Sequence, residues 1–422
     1  MTNHPYIINT INTFLERYQR FGVHLGLERI NQLLANLGNP HHQVPIIHVA
    51  GTNGKGSVCA YLSSVLTAAG YRVGRYTSPH LVDWTERICL NQKPILASDL
   101  INILQQVEAA ISPDEPSPTQ FEVITAAAWL YFAQQQVDIA VIEVGLGGRL
   151  DATNVCDHPL VTVITSISLE HWQRLGPTVA DIAGEKAGIL KPGCPAMIGQ
   201  LPDSAKAVVK QRIEALNCPV TWVKPATIKS QDQTLTTAIY QGIEYPLSLQ
   251  GNIQQSNSAI AIATLKNIQQ QGWQISADAI WQGMKNTEWL GRIQWTQWRN
   301  NQLLIDGAHN PAAAAVLRQY IDTIPHQSVS WVMGMLSTKD HVDIFQALLQ
   351  PGDHLYLVPV PDHSSAKPKN LAKLALQICP ELAQVKCYPD LKDALDIAFS
   401  GEHELTVLCG SLYLLGYFFT IE

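Results

Sequence analysis

The stretch from Pro45 to Ser57, PIIHVAGTNGKGS, constrains the fold of this chain more than any other. Residues 46–50 form a short, mostly apolar run that is typical of a buried parallel strand, and glycines alternate with polar residues from Gly51 onward. After Ser57, apolar and small residues recur at helical spacing as far as Gly70, which predicts a helix. This order aims backbone N–H groups and the positive end of a helix at one point, where an anion such as a triphosphate can be held.

The loop departs from the strict P-loop pattern G-x-x-x-x-G-K-[ST], because Gly51 lies too close to Gly54 and because Gly56 stands between Lys55 and Ser57. The physical parts of a phosphate loop are nevertheless present. The glycines permit close backbone approach, the lysine supplies a cation for phosphates, and the serine supplies a hydroxyl for a metal. A glycine turn without a ligand is the alternative. With the strand, the lysine and the serine in register, nucleotide binding is favoured.

The length of 422 residues exceeds what one ordinary hydrophobic core holds, so two domains are expected. Hydrophobic residues at 46% and charged residues at 15% are typical of a soluble globular protein. The net charge of −7 gives no basic surface overall, which argues against a nucleic-acid partner and is compatible with a small metabolite. The eight cysteines contain no C-x-x-C pair, so neither a zinc site nor a disulfide framework is indicated.

Two segments bear on membrane association. The first residues lack a basic region followed by an apolar core, so no secretory signal is predicted. Residues 405–421 are nearly continuously apolar, and a membrane anchor is one interpretation of them. The segment falls short of the usual spanning length, and small or polar residues divide it into a predicted strand, 405–409, and a short helix. We therefore expect a cytoplasmic protein with reduced thiols and no membrane partner.

Strand and helix signals alternate along the chain as far as Ser411, which predicts an α/β protein with mostly parallel sheets. Residues 228–249 depart from this alternation and suggest a small hairpin with turns at Asp232 and Gly242. A tryptophan- and arginine-rich stretch follows the next predicted helix, and we place the domain boundary there, near Arg292. The expected domains are residues 1–290 and 291–422.

Two polar residues lie where predicted strands end. Ser78 follows the predicted strand Val73–Tyr76, and Glu143 is the acidic residue near the end of the strand Ile139–Val144. Ligands bind at the carboxyl edge of a parallel sheet, so Ser78 is a candidate for the same metal as Ser57, although a plain Ser-Pro turn is the alternative. An acidic side chain beside a phosphate loop commonly holds Mg²⁺, and a buried, unpaired glutamate would otherwise be costly.

With these residues assembled, the sequence closely resembles the dihydrofolate synthase/folylpolyglutamate synthase family, within the Mur ligase superfamily. The matching stretches are LGLER (25–29), HVAGTNGKGS (48–57), TSPHL (77–81), IEVGLGGRLDATN (142–154), GEKAGILKPG (184–193), GRIQ (291–294), DGAHNP (306–311), GMLSTKD (334–340) and CGS (409–411). Their order is highly specific. The resemblance implies a P-loop ATPase domain with a central, mostly parallel sheet, a smaller Rossmann-like C-terminal α/β domain, and an active site in the cleft between them.

The resemblance also implies ATP and Mg²⁺, with two ions, as cofactors. The residues implied to bind ATP are Thr52, Asn53, Gly54, Lys55, Gly56, Ser57, Asn257, Arg292, Asp306 and His309. The residues implied to ligate Mg²⁺ are Ser57, Ser78, Glu143, His171 and Lys186. The residues implied to line the pterin site are Leu25, Gly26, Thr119, Gln120, Phe121, Glu122, Leu150, Asp151 and Ala152. The residues implied to be catalytic are Lys55, Lys186, Arg292 and His309.

Lys186 matches the lysine that is carbamylated in this family. CO₂ would convert its cationic amine into a carbamate anion, which ligates a second Mg²⁺ where an ammonium would repel it. Taken singly, Lys186 would be the partner of a helix carboxylate, His171 a solvated loop histidine and Arg292 a surface cation; their joint occurrence with the phosphate loop favours the functional roles.

Three positions depart from the family pattern: His24 stands where bifunctional members often have Asp, Gln120 where an aromatic residue is common, and Glu170 where Asp precedes the histidine. They bear on substrate preference more than on catalysis.

The reaction implied by the resemblance starts with attack of a carboxylate of 7,8-dihydropteroate, and of reduced folates, on the γ-phosphate of ATP. The amine of L-glutamate then attacks the acyl phosphate. We expect small-molecule substrates, no nucleic acid and a monomer. A folylpolyglutamate synthase without the first activity is one alternative.

Three other classes are alternatives. A peptidoglycan Mur ligase would carry an additional N-terminal domain, for which the phosphate loop at Gly51 leaves little room. A GTPase switch requires [NT]-K-x-D, whereas residues 338–341, TKDH, put the acid one residue early. A non-catalytic nucleotide-binding module would not need Glu143, His171 and Lys186 together.

Overall fold

We describe a computed structural model of the chain, which covers residues 4–18, 26–231, 235–400 and 404–422. The chain divides into two compact units. The larger unit comprises Met1–Pro79, Asp83–Ser248 and Gln254–Glu288. The smaller unit comprises His80–Val82, Leu249–Ile253 and Trp289–Glu422.

The larger unit alternates helices and strands for most of its length. Its helices are α1 His4–Glu16, α2 Glu28–Asn36, α3 Lys55–Ala68, α4 Ala97–Ala109, α5 Gln120–Gln134, α6 Trp172–Leu175, α7 Val179–Ala187, α8 Asp203–Leu216, α9 Ile253–Gln270 and α10 Ala277–Lys285. Its strands are β1 Ile46–Ala50, β2 Val73–Tyr76, β3 Ile88–Leu90, β4 Lys93–Pro94, β5 Ile139–Glu143, β6 Val161–Ile164, β7 Ala196–Ile198, β8 Val220–Trp222, β9 Thr227–Gln231, β10 Thr236–Tyr240 and β11 Ile243–Pro246.

The main sheet of the larger unit has, over the described residues, eight strands in the order β4-β3-β2-β5-β1-β6-β7-β8. Strands from β2 to β8 in this order run parallel, and β3 and β4 are antiparallel additions at one edge. Every residue of β1 and of β5 is buried, as expected for central strands covered by helices on both faces. Because β1 lies between β5 and β6, the loop after β1 emerges at the middle of the carboxyl edge.

The predicted hairpin at residues 228–249 is a three-stranded antiparallel sheet, in the order β11-β10-β9. Gly242, with φ of 81°, makes the turn between β10 and β11. Asp232, the other predicted turn residue, lies outside the described residues.

The smaller unit is a second α/β layer structure. Its helices are α11 Pro311–Ile321, α12 His341–Leu348, α13 Pro368–Ile378, α14 Leu391–Ala398 and α15 Leu412–Ile421. Its strands are β12 Gln294–Trp298, β13 Asn301–Ile305, β14 Ser328–Met333, β15 His354–Leu357, β16 Gln384–Cys387 and β17 Glu404–Cys409.

The sheet of the smaller unit has the order β12-β13-β17-β14-β15-β16, with β12 antiparallel and the others parallel. The prediction of an α/β fold with a mostly parallel sheet in the larger unit and a second α/β unit at the C-terminal side is confirmed. The apolar segment 405–421 is β17 followed by α15. Among the helices described, none is long and apolar enough to cross a membrane.

Candidate active site

The loop between β1 and α3 begins at Gly51 and ends at Gly54, and the site is built around it. The first backbone bond of α3 runs from the N–H of Val58 to the carbonyl of Gly54 at 3.0 Å. The amides of residues 55–57 therefore stand before the helical hydrogen-bond ladder, at the positive end of a helix whose sides are buried. Such a helix start binds anions, as the sequence predicts.

Residues that follow β6 hold this loop in place through hydrogen bonds. The N–H of Thr52 donates to the carbonyl of Ser166 at 2.7 Å, and the N–H of Ser168 donates to Oγ1 of Thr52 at 3.1 Å. The carbonyl of Asn53 accepts from the hydroxyls of Thr165, at 2.7 Å, and Ser166, at 2.9 Å. Thr52 and Asn53 thus fix the loop backbone.

Gly54 has little room around its Cα. Its φ is 88°, and a Cβ at this position would lie 2.4 Å from Oδ1 of Asn257. Asn257 is buried on α9, where its Nδ2 donates to Oε1 of Gln254 at 3.0 Å. The helix α9 therefore brings Asn257, one of the predicted ATP-binding residues, directly against the phosphate loop.

We expect Gly54→Ala to weaken ADP binding at least about tenfold, equivalent to about 1.4 kcal/mol, because the methyl group displaces Asn257 or the loop. Gly70→Ala is the matched control. Gly70 has a similar φ of 92°, but an added Cβ meets nothing within 4 Å. Both variants therefore carry the left-handed strain of about 1–2 kcal/mol, and only one carries the clash. Titration calorimetry with ADP measures the difference, and equal affinities in the two variants would contradict this account.

Glu143 ends β5 and lies beside two other predicted residues, Ser78 and Lys55. Its buried carboxylate accepts the N–H of Ser78 at Oε2, at 3.2 Å, and its Oε1 lies 3.9 Å from Nζ of Lys55. Nζ of Lys55 also donates to the carbonyl of Thr52 at 3.0 Å. Ser57 is buried in the first turn of α3. A cation, a carboxylate and two serines are thus concentrated at the carboxyl ends of β1, β2 and β5.

Lys186 reaches the same loop from α7. It is buried, and its Nζ donates to the carbonyl of Gly51 at 2.8 Å. Burial, followed by the nearby Lys55 cation, lowers the pKa of Lys186 to about 7, against the opposing effects of Glu170 and Asp151. A large fraction of this amine is therefore neutral at neutral pH, which is unusual for a lysine.

Asp151 is fully engaged in ordering the glycine-rich turn after β5. Its Oδ2 accepts the N–H of Leu146 at 2.7 Å, and its Oδ1 accepts the N–H and the hydroxyl of Thr153 at 3.0 and 2.6 Å. Since the Thr153 hydroxyl donates to Asp151, it accepts from Nε2 of His48, 2.9 Å away. Burial lowers the pKa of His48 to about 3, so this buried histidine is neutral. Burial also raises the pKa of Asp151.

The N-terminus of α5 carries another of the predicted segments. Thr119 caps the helix, its N–H donates to Oε2 of Glu122 at 2.6 Å, and Nε of Arg29 donates to the same oxygen at 3.1 Å. Oε1 of Glu122 is buried and has no hydrogen-bond partner among the described residues. The ring of Phe121 lies against Gly145, where an added Cβ would be 2.4 Å from Cζ. This contact joins the segment 119–122 to the turn that Asp151 orders.

A cavity of about 240 Å³ adjoins this region. It is lined by Arg29, Gln32 and Asn36 of α2 and by Ser112, Glu115 and Pro118 of the loop before α5. Sequence reasoning assigned no role to α2 beyond its first residues, and the ion pair between Arg29 and Glu122 spans 93 residues of sequence.

The smaller unit contributes a separate cluster at the carboxyl end of β13. The buried Asp306 accepts the N–H of Ile293 at 2.8 Å and the N–H of Ala308 at 2.7 Å, and burial raises its pKa. Nδ1 of His309 donates to the carbonyl of Gly307 at 2.7 Å. Nη1 of Arg292 donates to the carbonyl of Gly291 at 3.2 Å.

The two parts of the chain that carry these clusters match two known protein-family models. Residues 49–265 match the Mur ligase middle domain, and residues 290–421 match the dihydrofolate synthetase C-terminal domain. The dihydrofolate synthase/folylpolyglutamate synthase of Bacillus subtilis is 33% identical, over 94% of each chain. The chain belongs to the dihydrofolate synthase/folylpolyglutamate synthase family.

Solved structures of this family have the same fold. Mycobacterium tuberculosis folylpolyglutamate synthase, in complexes with ADP and AMPPCP, superposes with a TM-score of 0.86 at 30% identity, covering 99% of this chain and 98% of that one. Escherichia coli FolC in complex with DHPP and ADP superposes with a TM-score of 0.84 at 29% identity, covering 98% and 97%. As a member of the dihydrofolate synthase/folylpolyglutamate synthase family, the chain is an ATP-dependent amide-forming ligase that acts on small-molecule substrates.

Several predicted site residues stay predictions. His171 is exposed, in the left-handed conformation with φ of 53°, just before α6. Ala152 is buried and Leu150 half-buried beside the Asp151 turn. Leu25 lies outside the described residues, as does His24.

Sequence reasoning missed the hydroxyl residues Thr165, Ser166 and Ser168. The sequence TSIS at residues 165–168, directly after a buried strand, could have indicated them, because such residues lie at the carboxyl edge of a parallel sheet.

Proposed function

We propose that this ligase joins L-glutamate to the carboxylate of 7,8-dihydropteroate, and of reduced folates, through an acyl phosphate. The observation that carries the proposal is the convergence of Lys55, Glu143 and Lys186 on one phosphate loop, with the Lys55 amine 3.9 Å from the Glu143 carboxylate and the Lys186 amine 2.8 Å from the Gly51 carbonyl. The name of the Bacillus subtilis relative carries both activities.

The chemistry requires activation of a poor electrophile. Transfer of the γ-phosphate to the substrate carboxylate, with release of ADP, gives an acyl phosphate, and attack by the glutamate amine then expels phosphate. Lys55 and the amides of residues 55–57 would hold the phosphates and neutralise the charge that moves during transfer. Arg292 and His309 of the smaller unit remain part of the proposal as residues that bind ATP.

Magnesium suits the oxygen donors found here. Glu143 supplies a carboxylate, and Ser57 and Ser78 supply hydroxyls. The described residues contain no group of three or more His, Cys, Asp or Glu side chains that could hold a metal. Mg²⁺ typically binds through one or two carboxylates together with substrate phosphates, so this sparse set fits a metal that arrives with ATP. When bound, Mg²⁺ supplies charge neutralisation on the phosphate oxygens. His171 and a second ion remain part of the proposal.

We expect Glu143→Gln to raise the Mg²⁺ concentration for half-maximal activity about tenfold or more, because the amide removes the anionic donor but keeps the volume of the buried side chain. His171→Ala should raise it as well, since His171 is a proposed ligand. Glu214→Gln is the control, because Glu214 is exposed on α8 and pairs only with Lys210 four residues away among the contacts described. A Mg²⁺ titration of ADP release that is the same in all variants would reject the assignment.

Carbamylation of Lys186 is proposed on its position and its lowered pKa. CO₂ reacts only with the neutral amine, and burial with Lys55 nearby keeps a large neutral fraction at pH 7. The carbamate would place an anion beside the phosphate loop in exchange for a cation, which would suit a second Mg²⁺.

The pterin would lie where residues 119–122 meet the turn around Asp151. Oε1 of Glu122, which has no partner among the described residues, supports this placement, because a buried acceptor needs a partner and the pterin ring presents N–H donors. The oxygens of Asp151 already accept from Leu146 and Thr153, so a contact of Asp151 with the pterin would come in addition to these bonds.

The deciding experiment measures ADP release by the purified enzyme with ATP, L-glutamate and one acceptor at a time. We expect turnover with 7,8-dihydropteroate and with tetrahydrofolate, and none without glutamate. Turnover with tetrahydrofolate alone would restrict the enzyme to folylpolyglutamate synthesis. Turnover with neither acceptor would remove the folate assignment and leave the ligase chemistry standing.

A further inference from the structure

Two cysteines of the larger unit, Cys194 and Cys218, stand at equivalent positions on neighbouring chain segments. Cys194 comes two residues before Ala196, the first residue of β7, and Cys218 comes two residues before Val220, the first residue of β8. The parallel ladder pairs Ala196 with Val220. Each cysteine therefore lies two residues before the first paired position of the ladder.

Backbone hydrogen bonds on both sides of the cysteines join the two segments. After them, the N–H of Ala196 donates to the carbonyl of Pro219 at 2.8 Å. Before them, the N–H of Gly193 donates to the carbonyl of Leu216 at 2.9 Å. Between these two bonds the N–H of Cys194 turns back to the carbonyl of Lys191, so the regular ladder begins only at Ala196. The bonds on both sides nevertheless hold the segments side by side at the cysteines, near the spacing of about 4.8 Å between hydrogen-bonded strands.

The Cys218 side chain lies beside the segment that carries Cys194. It packs in the same hydrophobic cluster as Ala196, two residues after Cys194. Burial raises the pKa of Cys218, and the neighbouring Cys194 raises it further. The Cys218 thiol donates to the carbonyl of Lys191 at 3.2 Å, and the same carbonyl accepts the N–H of Cys194 at 3.1 Å.

We propose that Cys194 and Cys218 are an oxidative modification site that forms a reversible disulfide between the starts of β7 and β8. A Cα separation near the strand spacing falls within the range of about 4.4–6.8 Å that a disulfide spans without backbone movement. The oxidant is a peroxide. One thiolate attacks a peroxide oxygen, the O–O bond breaks, and a sulfenic acid and water form. The second thiolate then attacks that sulfur, and the S–S bond forms with loss of a second water. In total two thiols and one hydrogen peroxide give one disulfide and two waters.

The neighbouring segments, and not exposure, set Cys194 and Cys218 apart from the other buried thiols. Cys194 and Cys218 are 8% and 7% exposed, Cys156 and Cys379 are 9% and 6% exposed, and Cys59 and Cys409 are 0% exposed. Burial raises the pKa of both thiols, so their thiolate fractions at neutral pH are small and oxidation is slow. The bond would fasten β8, the last strand of the main sheet, to its only neighbour in the described sheet order.

The test treats the intact enzyme with hydrogen peroxide, blocks remaining thiols, and maps tryptic peptides without reduction. We expect a linked pair of peptides containing Cys194 and Cys218, two hydrogens lighter than their sum, which dithiothreitol separates. We also expect the oxidised enzyme to melt several degrees higher than the reduced enzyme, because the cross-link restricts the unfolded chain. Cys194→Ser and Cys218→Ser should abolish both signals. Cys387→Ser, which removes an exposed cysteine, should change neither.

The peptide map of the unmutated enzyme keeps the test decisive if a serine variant folds poorly. Recovery of Cys194 and Cys218 as separately blocked peptides, after an exposure that oxidises Cys387, would overturn the proposal. So would linkage of either cysteine to a different partner.

Discussion

Replacing Lys55 with alanine should lower kcat for ADP release by about 10²–10³-fold, the loss typical when one preorganised donor to a developing charge is removed. Nζ of Lys55 is held by the carbonyl of Thr52 at 3.0 Å and lies 3.9 Å from Glu143, so the cation is positioned before the nucleotide arrives. The variant should still unfold cooperatively, within a few degrees of the unmutated enzyme. The Lys55 side chain is 17% exposed and belongs to none of the hydrophobic clusters described. Removing it also removes the electrostatic repulsion between Lys55 and Lys186.

The control for Lys55→Ala is Lys210→Ala, the same change on the exposed side of α8. Lys210 pairs across one helical turn with Glu214, an interaction worth about 0.3–0.5 kcal/mol, so activity and stability should stay unchanged. Steady-state kinetics and a thermal melt are run on both variants. Normal turnover by Lys55→Ala with a normal melt would remove the phosphate loop from the mechanism.

Replacing Lys186 with alanine should abolish turnover, with a loss of at least about 10²-fold, because the proposed carbamate anion disappears from beside the Gly51 carbonyl. A small carboxylate such as formate or acetate should restore part of the activity, since it fits the space that the lysine side chain vacates and supplies the missing charge. The unmutated enzyme should lose activity in CO₂-depleted buffer and regain it when bicarbonate is added. The readout is ADP release at saturating ATP.

Lys186→Met separates the chemical role of the amine from its packing. Methionine fills most of the buried space without an amine, so this variant should be inactive, stably folded and insensitive to added formate. Full activity of Lys186→Ala would end the carbamate proposal. Loss of activity that neither formate nor bicarbonate affects would leave Lys186 as a lysine cation that orders the loop through Gly51.

The sequence predicted individual strands and helices better than it predicted which parts of the chain lie side by side. The strand predicted at Val73–Tyr76 is β2 with the same bounds, and the strand predicted at 405–409 is β17, Glu404–Cys409. These succeed because a buried strand or helix leaves a local periodicity that ends at glycine or polar residues. The contact between Asn53 and Ser166 spans 113 residues, and no local pattern encodes it.

The strand order explains why the sequence did not predict the contacts between the phosphate loop and the residues after β6. The residues that follow β6 reach the phosphate loop only because β6 lies next to β1, while β2 and β5 lie on the other side. The periodicity of the sequence predicts that each of these segments is a strand, but it does not predict which strands are adjacent. Lys55 and Glu143 were nevertheless predicted from the glycine loop and from a strand end, whereas Lys186 was predicted only from the resemblance to a known family.

The central position of β17 has a consequence for how the protein is made. Residues 404–409 pair with β13 on one side and with β14 on the other, although every other strand of that sheet is synthesised before them. Until the ribosome has added β17, no strand hydrogen-bonds the pair β12–β13 to the group β14–β15–β16. The nascent chain therefore contains two separate half-sheets, each with an unpaired edge. Domains generally fold from the N-terminal side during synthesis, and exposed strand edges promote aggregation. This late step makes the smaller unit the part of the nascent chain most dependent on fast completion or on chaperone protection.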